Sequence, residues 1–283
     1  MQTMFTIAPP LALHETGPRE HNEDAIYPSL GKAQPESRLY LVCDGVGGSA
    51  KGEVASHLAC QAFADYFNQQ QPPAEGFTPD AGKAYIRAAF DAVQTQFDQY
   101  KADHPETEGM ATTLTLAYLH PGGITVAHCG DSRVYHIRGG EIRFCTTDHT
   151  PVNELLRAGI ITDEEAAQEP PSSKISRAIQ GHRAQSTRPE VNTLTDLDAG
   201  DYLLLCTDGV SGSLTDEEVA SLLSSADTDN ASKLANIREL CQANARDNYS
   251  LYLLQLEQVP DRKAEEPFAE KQPGPPPEHQ KKK

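Results

Sequence analysis

Leu39-Tyr-Leu-Val-Cys-Asp-Gly-Val-Gly-Gly48 is an apolar run that stops at an acid and three glycines. The unbroken run reads as a buried strand, with Asp44 at its end. A carboxylate in that position is unfavourable unless a cation neutralises it, and glycines beside it let backbone carbonyls and amides approach whatever is bound. A metal ion is the simplest such cation. An isolated Asp-Gly pair more often turns a hairpin, so the reading depends on whether other acids gather at the same place.

Working outward towards the C-terminus, Val54, Leu58, Ala62, Phe63 and Tyr66 recur at helical spacing over Ala50 to Phe67, which sets the glycines at a helix N-terminus. A Pro-rich break, Gln71 to Pro79, leads into a second amphipathic helix near Asp80 to Tyr100, striped by Ile86, Ala89, Phe90, Val93, Phe97 and Tyr100. From Thr112 the period changes to strand. Thr112 to Leu119, Ile124 to Cys129, Val134 to Ile137 and Glu141 to Cys145 read as an antiparallel meander, the last two joined by Gly139-Gly140. Asp148 to Gln180 differs in kind, with short helical pieces at Val152 to Arg157 and Thr162 to Ala167 and a Pro170-Pro171 break, and it reads as a mobile insert at the edge of the core.

Asp201 to Cys206 repeats the opening theme, because its apolar run leads into Asp208-Gly209. Thr215 with Glu218 makes a capping box for a helix to Leu223, Ala231 to Ala245 is another helix, and Asp247-Asn248 introduces a last apolar strand, Ser250 to Leu256. Towards the N-terminus, Thr3 to Leu13 reads as an edge strand because a central one would exclude its prolines, and Gly17 to Asp24 is a dense polar segment. Residues 261–283 are rich in Pro, Glu, Gln and Lys and read as a disordered tail, leaving 1–260 as one domain.

Forty-one acids against 24 Lys and Arg give a formal charge of -17, which argues against nucleic acid or an anionic membrane as the main partner and suits bound divalent cations. Six cysteines fall mostly within apolar runs with no Cys-x-x-Cys spacing, and read as reduced core thiols of a cytoplasmic protein. Met1 to His14 lacks a basic region and is interrupted by Pro9-Pro10, so it does not read as a signal peptide. No run approaches the roughly 18 apolar residues of a membrane span.

Acids therefore recur at strand ends. Asp44 and Asp208 follow strands, Asp247 opens one, and Asp131 stands between two in Gly130-Asp-Ser-Arg133. If these ends meet, they imply hard divalent cations held by oxygen ligands. Cys43 is one residue before Asp44, so strand alternation points it to the opposite face, as a core thiol and not a nucleophile. The Gly-Gly-Ser-Ala-Lys-Gly52 segment lacks the Gly-Lys-Ser/Thr order of a nucleotide loop. His128, in an apolar strand, reads as a satisfied core residue, Arg133 as a structural partner for nearby acids, and His21 and His149 stay open.

Six motifs agree in order and spacing with one family. Arg19-x-x-Asn-Glu-Asp24, Leu41-Val-Cys-Asp-Gly-Val-Gly-Gly48, Gly109-Met-Ala-Thr-Thr113, Gly130-Asp-Ser-Arg133, Leu205-Cys-Thr-Asp-Gly209 and Asp247-Asn248 together resemble the metal-dependent serine/threonine protein phosphatases of the PPM, or type 2C, class. The resemblance spans roughly Thr3 to Gln258. It implies an α+β fold, an α-β-β-α sandwich of two mainly antiparallel sheets flanked by helices, with a dinuclear Mn2+ or Mg2+ site at one end. On the matching positions it makes Asp44 the carboxylate that bridges both metals, Gly45 a carbonyl ligand, and Asp208 and Asp247 ligands of the other metal. Glu23 and Asp24 would hold metal-bound waters or complete the second site, Arg19 would bind phosphate, and Asp131 with Asp208 would bind a weaker third metal. The insert at 148–180 corresponds to the family's flap beside the active site.

The implied reaction is hydrolysis of phosphoserine and phosphothreonine by a hydroxide bridging the two metals, without a covalent phosphoenzyme. The implied partners are phosphorylated proteins and a bacterial Ser/Thr kinase that the enzyme opposes, with the chain a monomer. Some members carry His directly after the Asp-Gly pair as general acid. This chain has Val46, so the leaving alcohol takes its proton from another donor. A catalytically silent relative would be expected to lose ligands, whereas every matched carboxylate is present here.

Overall fold

Strand β4 (Leu39–Cys43) is buried along its whole length because both of its faces are covered, which accounts for its unbroken apolar run. Leu39, Leu41 and Cys43 face helices, and Tyr40 and Val42 face a second sheet. Strand β12 (Tyr202–Cys206) has the same property in that second sheet, with Leu203 and Leu205 turned inward to the sandwich and Leu204 and Cys206 outward. The computed structural model describes residues 5–46, 50–70, 72, 78–168, 174–182, 188–224 and 228–259.

The first sheet runs in the order β11 (Glu190–Leu194), β8 (Gly123–Cys129), β7 (Leu114–His120), β4 and β3 (Ala25–Tyr27). The second runs β1 (Thr6–Ile7), β13 (Tyr249–Gln258), β12, β9 (Arg133–Arg138) and β10 (Glu141–Cys145), with β2 (Leu11–Glu15) also paired to β13. A separate two-stranded sheet joins β5 (Gly45–Val46) to β6 (Ala111–Thr112), and every neighbouring pair in all three sheets is antiparallel. Helices α1 (Ala50–Gln69) and α2 (Pro79–Asp103) cover the first sheet, and α6 (Asp216–Ser224) and α7 (Asn230–Asn244) the second, with the short α5 (Asp208–Ser211) following β12. The result is an α+β fold, an α-β-β-α sandwich with one apolar layer between the sheets and one under each helix pair.

The expected helices form where the periodicity puts them. All of the α2 stripe except Tyr100 is buried, and Thr78 caps the helix by accepting from the Ala81 amide. The Thr215–Glu218 capping box is reciprocal. The insert carries α3 (Pro151–Arg157) and α4 (Asp163–Ala166), capped by Thr150 and Thr162.

Three differences from the sequence reading have physical causes. The strands from 112 to 145 are not one meander. β7 and β8 pair in the first sheet, β9 and β10 in the second, and the chain crosses between sheets through Gly130 to Ser132, since alternation within a hairpin is the same whichever sheet it joins. The N-terminal edge is two strands, β1 and β2, because Pro9-Pro10 cannot continue the ladder. β3 and β11 were not expected, being respectively three residues long and mostly half-exposed. Pro170-Pro171, the Gly47-Gly48 pair and the 261–283 tail lie outside the described residues. Among the described residues no helix is long and apolar enough to cross a membrane, and the six cysteines are free.

Candidate active site

Antiparallel pairing brings the acid-bearing ends together. Ala25 pairs with Cys43, Cys206 with Arg133, and Cys206 with Leu251, so the ends of β4 and β12 and the starts of β3, β9 and β13 lie at one end of the sandwich. A cleft of about 200 Å³ there is lined by Arg19, Glu23, Asp44, Gly45, Asp131, Asp208 and Asp247, together with Val46, Asn248 and Ile175. Of the expected metal- and phosphate-binding residues, Asp24 alone does not line the cleft. It is 1% exposed and accepts from the Thr207 hydroxyl at 3.1 Å.

The backbone around Asp44 is pinned on every side. The Asp44 amide donates to Thr113 Oγ1 at 2.9 Å, and its carbonyl accepts from the Thr113 amide and from Thr112 Oγ1, each at 2.8 Å. That is the work of the Thr112-Thr113 pair, whose role the sequence did not reveal. The Gly45 amide donates to the Glu23 carbonyl at 3.1 Å. A Cβ on Gly45 would collide with the backbone of Gly52 and lie 2.6 Å from the Glu23 carbonyl oxygen, so the glycine is required by close approach of α1. Gly45→Ala is expected to destabilise the protein by about 2 kcal/mol or more, because none of those backbone atoms can move aside. Urea unfolding without added metal measures it, and an unchanged midpoint would refute the packing.

Asn248 holds the N-terminal loop over the cleft. Its Nδ2 donates to the carbonyls of Thr16 and His21, both at 2.8 Å, and its Oδ1 accepts from the Glu23 amide at 2.8 Å. Arg19, on that loop, donates through Nη2 to Asp247 Oδ2 at 2.7 Å and through Nε to the Arg246 carbonyl at 3.2 Å. Arg133 points away to make a bidentate pair with Asp148 at 2.8 Å, the structural partnership expected of it. Cys43 is buried against Cys60, and its thiol is pushed well up by that contact and by burial. Ile175, from the insert, and Val46 are the apolar side chains of the lining, and no local signal marks Ile175 in the sequence.

Crowding of carboxylates dominates the electrostatics. Burial first, then repulsion from Asp208 and Asp247 against hydrogen bonds from Ser250 and Thr207, raises Asp24 to about 7. Burial and Asp208 raise Asp131 to about 7. Asp44 is held well above the carboxylate range by burial and by Asp24, Asp208, Asp131 and Asp247. Asp208 is raised mainly by burial, partly offset by a hydrogen bond with Asp44. Two buried oxygens, Asp24 Oδ1 and Asp208 Oδ1, have no hydrogen-bond partner. Buried, unpartnered, mutually repelling oxygens are the donor set that hard divalent cations take, so these residues fit such a group.

A pH dependence follows, with its sign. Because the native pKa values of Asp24 and Asp131 stand near 7, above those of an unfolded chain, the native state holds protons that the unfolded chain has released. Without cations, stability from this cluster therefore falls as pH rises from the ordinary carboxylate range through about 7. Cations replace the protons. The gain in melting temperature on adding Mn2+ is expected to grow from about pH 5.5 to about pH 8, and calorimetry in buffers of different ionisation enthalpy should register proton release. A Mn2+ gain that is flat with pH would contradict the shifts.

Residues 17–244 match the protein phosphatase 2C family. The chain is 37% identical over 206 residues to the serine/threonine protein phosphatase PstP of Mycobacterium tuberculosis, covering 72% of this chain but 36% of that relative's own length. It is 30% identical over 208 residues to the serine/threonine phosphatase stp of Listeria welshimeri, covering 73% of this chain and 79% of that one. Among solved structures, the catalytic domain of PstP in complex with two manganese ions superposes with a TM-score of 0.70 at 31% identity, covering 89% of this chain and 99% of that one.

Proposed function

The chain belongs to the protein phosphatase 2C family, and on that premise we propose that it is a metal-dependent protein serine/threonine phosphatase. The observation that carries the proposal is the meeting of five acids and Arg19 in one cleft with unpartnered carboxylate oxygens buried beside it. Asp44, the Gly45 carbonyl, Asp208 and Asp247 would hold two Mn2+ or Mg2+ ions, with Glu23 and Asp24 completing the shell and Asp131 joining Asp208 at a weaker third. When bound, such a pair supplies Lewis acidity for phosphoryl oxygens and an acidified water as nucleophile.

The chain's own residues do the rest. The Arg19 guanidinium is planar and can clamp two phosphoryl oxygens, offsetting charge that grows as the P–O bond breaks. The Thr112, Thr113 and Asn248 hydrogen bonds hold Asp44 and the Arg19 loop in register, so the reacting groups are oriented before substrate arrives. Val46 carries no proton for the leaving alcohol. The lining is otherwise polar, which suits a phosphoryl group with its Ser or Thr stem against Val46 and Ile175.

The same reading makes phosphorylated proteins the substrates and a Ser/Thr kinase the enzyme that generates them. A reducing, cytoplasmic compartment is consistent with six free cysteines. Comparing turnover of phosphothreonine peptides with that of sugar phosphates tests the substrate class. Preference for peptides is expected, and efficient turnover of a sugar phosphate alone would move the activity to small metabolites.

A further inference from the structure

His128, His149 and Glu190 each bring a possible ligand atom within 4.8 Å of the others, away from the cleft lining. Both imidazoles are fully buried and stack 4.4 Å apart at an angle of 4°. Two histidines and a carboxylate suggest a transition-metal site, but the hydrogen bonding at His149 argues against it. The Gly130 amide can only donate, and it donates to His149 Nδ1 at 3.1 Å. Nδ1 is therefore the lone-pair nitrogen, and in the neutral ring Nε2 carries the proton. Burial, His128 and the guanidinium groups of Arg177 and Arg157 keep that ring neutral by pushing its pKa far down. An N–H cannot ligate a cation, and Glu190 is already paired with Arg157 at 2.7 Å.

That tautomer leaves His149 with a different task. Its amide donates to the Gly130 carbonyl at 2.9 Å, and its carbonyl accepts from the Ser176 amide at 2.7 Å, so it joins the sheet crossover to both limbs of the insert. Gly130 has φ +108°, and a Cβ there would lie 2.7 Å from the Thr113 side chain, so the turn requires glycine and packs directly on Thr113. Asp131 follows directly. Ser132 Oγ lies 2.7 Å from Thr113 Oγ1, the acceptor of the Asp44 amide. His149 Nε2 lies 3.7 Å from Glu190 Oε2, beyond hydrogen-bond range, so the side chain's close polar contact is the one to Gly130.

We propose that His149 is a positioning residue: as the neutral Nε2–H tautomer it holds the Gly130 amide through Nδ1 and thereby fixes Asp131 in the acid cluster. The inference rests on the assignment of Asp131 to cation binding made above. Removing the acceptor would leave a buried amide unpaired at the turn that aims Asp131. Asn can present its Oδ1 near the Nδ1 position, whereas Leu offers no acceptor, so His149→Asn is the conservative rescue of His149→Leu.

Three readouts on the full chain decide it. Long-range proton–nitrogen spectra of nitrogen-15-histidine protein should show His149 Nδ1 unprotonated and Nε2 protonated. His149→Leu should speed amide exchange at Gly130 and weaken the weakest Mn2+ site, read by calorimetry, by about tenfold, as loss of an outer-shell partner does, while His149→Asn stays near wild type. A protonated Nδ1, loss of the Nε2 proton on adding Zn2+, or equal behaviour of Leu, Asn and wild type would overturn the proposal. If His149→Leu does not fold, the wild-type spectrum and the Asn variant still decide. If wild type binds no Mn2+, the phosphatase reading fails, while the nitrogen spectrum and Gly130 exchange still judge the role of His149.

Discussion

Asp44→Asn is expected to lower Mn2+-dependent turnover of p-nitrophenyl phosphate by about a thousandfold or more, since it removes a ligand charge at the point where the acids of both sheets face one another. Asn keeps the shape, and the Thr112 and Thr113 bonds to the Asp44 backbone are untouched, so the backbone geometry of the site is kept. Stability moves the other way. Asp44 is held well above the ordinary carboxylate range by burial and four neighbouring acids, so the neutral amide relieves a repulsion that grows as pH rises. Cation-free Asp44→Asn should therefore melt higher than wild type, by a margin that is larger at higher pH. Near-normal turnover at saturating Mn2+ would remove Asp44 from the centre of the site.

Arg19→Ala should raise KM for phosphomonoesters by about tenfold to a hundredfold, the equivalent of losing one charge-assisted hydrogen-bonded contact worth about 1.5–3 kcal/mol. The fold should hardly notice. Arg19 and Asp247 are 55% and 37% exposed, and such a pair contributes between about 0 and 1 kcal/mol. Arg19→Lys keeps the charge but not the planar fork and should fall between the two. Calorimetric Mn2+ affinity should remain close to wild type in both variants. An unchanged KM with weakened Mn2+ binding would mean that Arg19 serves to orient Asp247 and does not touch phosphate.

The strands that carry Asp44 and Asp208 were legible because burial on both faces leaves an unbroken apolar run, and a carboxylate closing such a run is conspicuous. The helices were legible for the complementary reason, a stripe such as Ile86 to Phe97 buried on one side. β3 and β11 escaped because three residues, or five with one buried, carry no period. Which sheet a hairpin joins is set by contacts far along the chain, so the crossover at Gly130 to Ser132 could not be read locally. The same holds for Asn248, whose amide reaches back to Thr16 and His21, and for His149, whose proton is placed by one amide of a distant turn. The acids of the site were visible as residue types at strand ends. The hydrogen bonds that hold them were not, since a polar side chain does not announce its partner.

The most direct test is hydrolysis of a phosphothreonine peptide by the purified chain, followed as phosphate release across a Mn2+ titration with the bound metal counted in the same samples. Turnover that is absent after chelation and rises as two ions are taken up per chain is the expected result. A chain that binds the two ions and releases no phosphate from the peptide or from p-nitrophenyl phosphate would contradict the account.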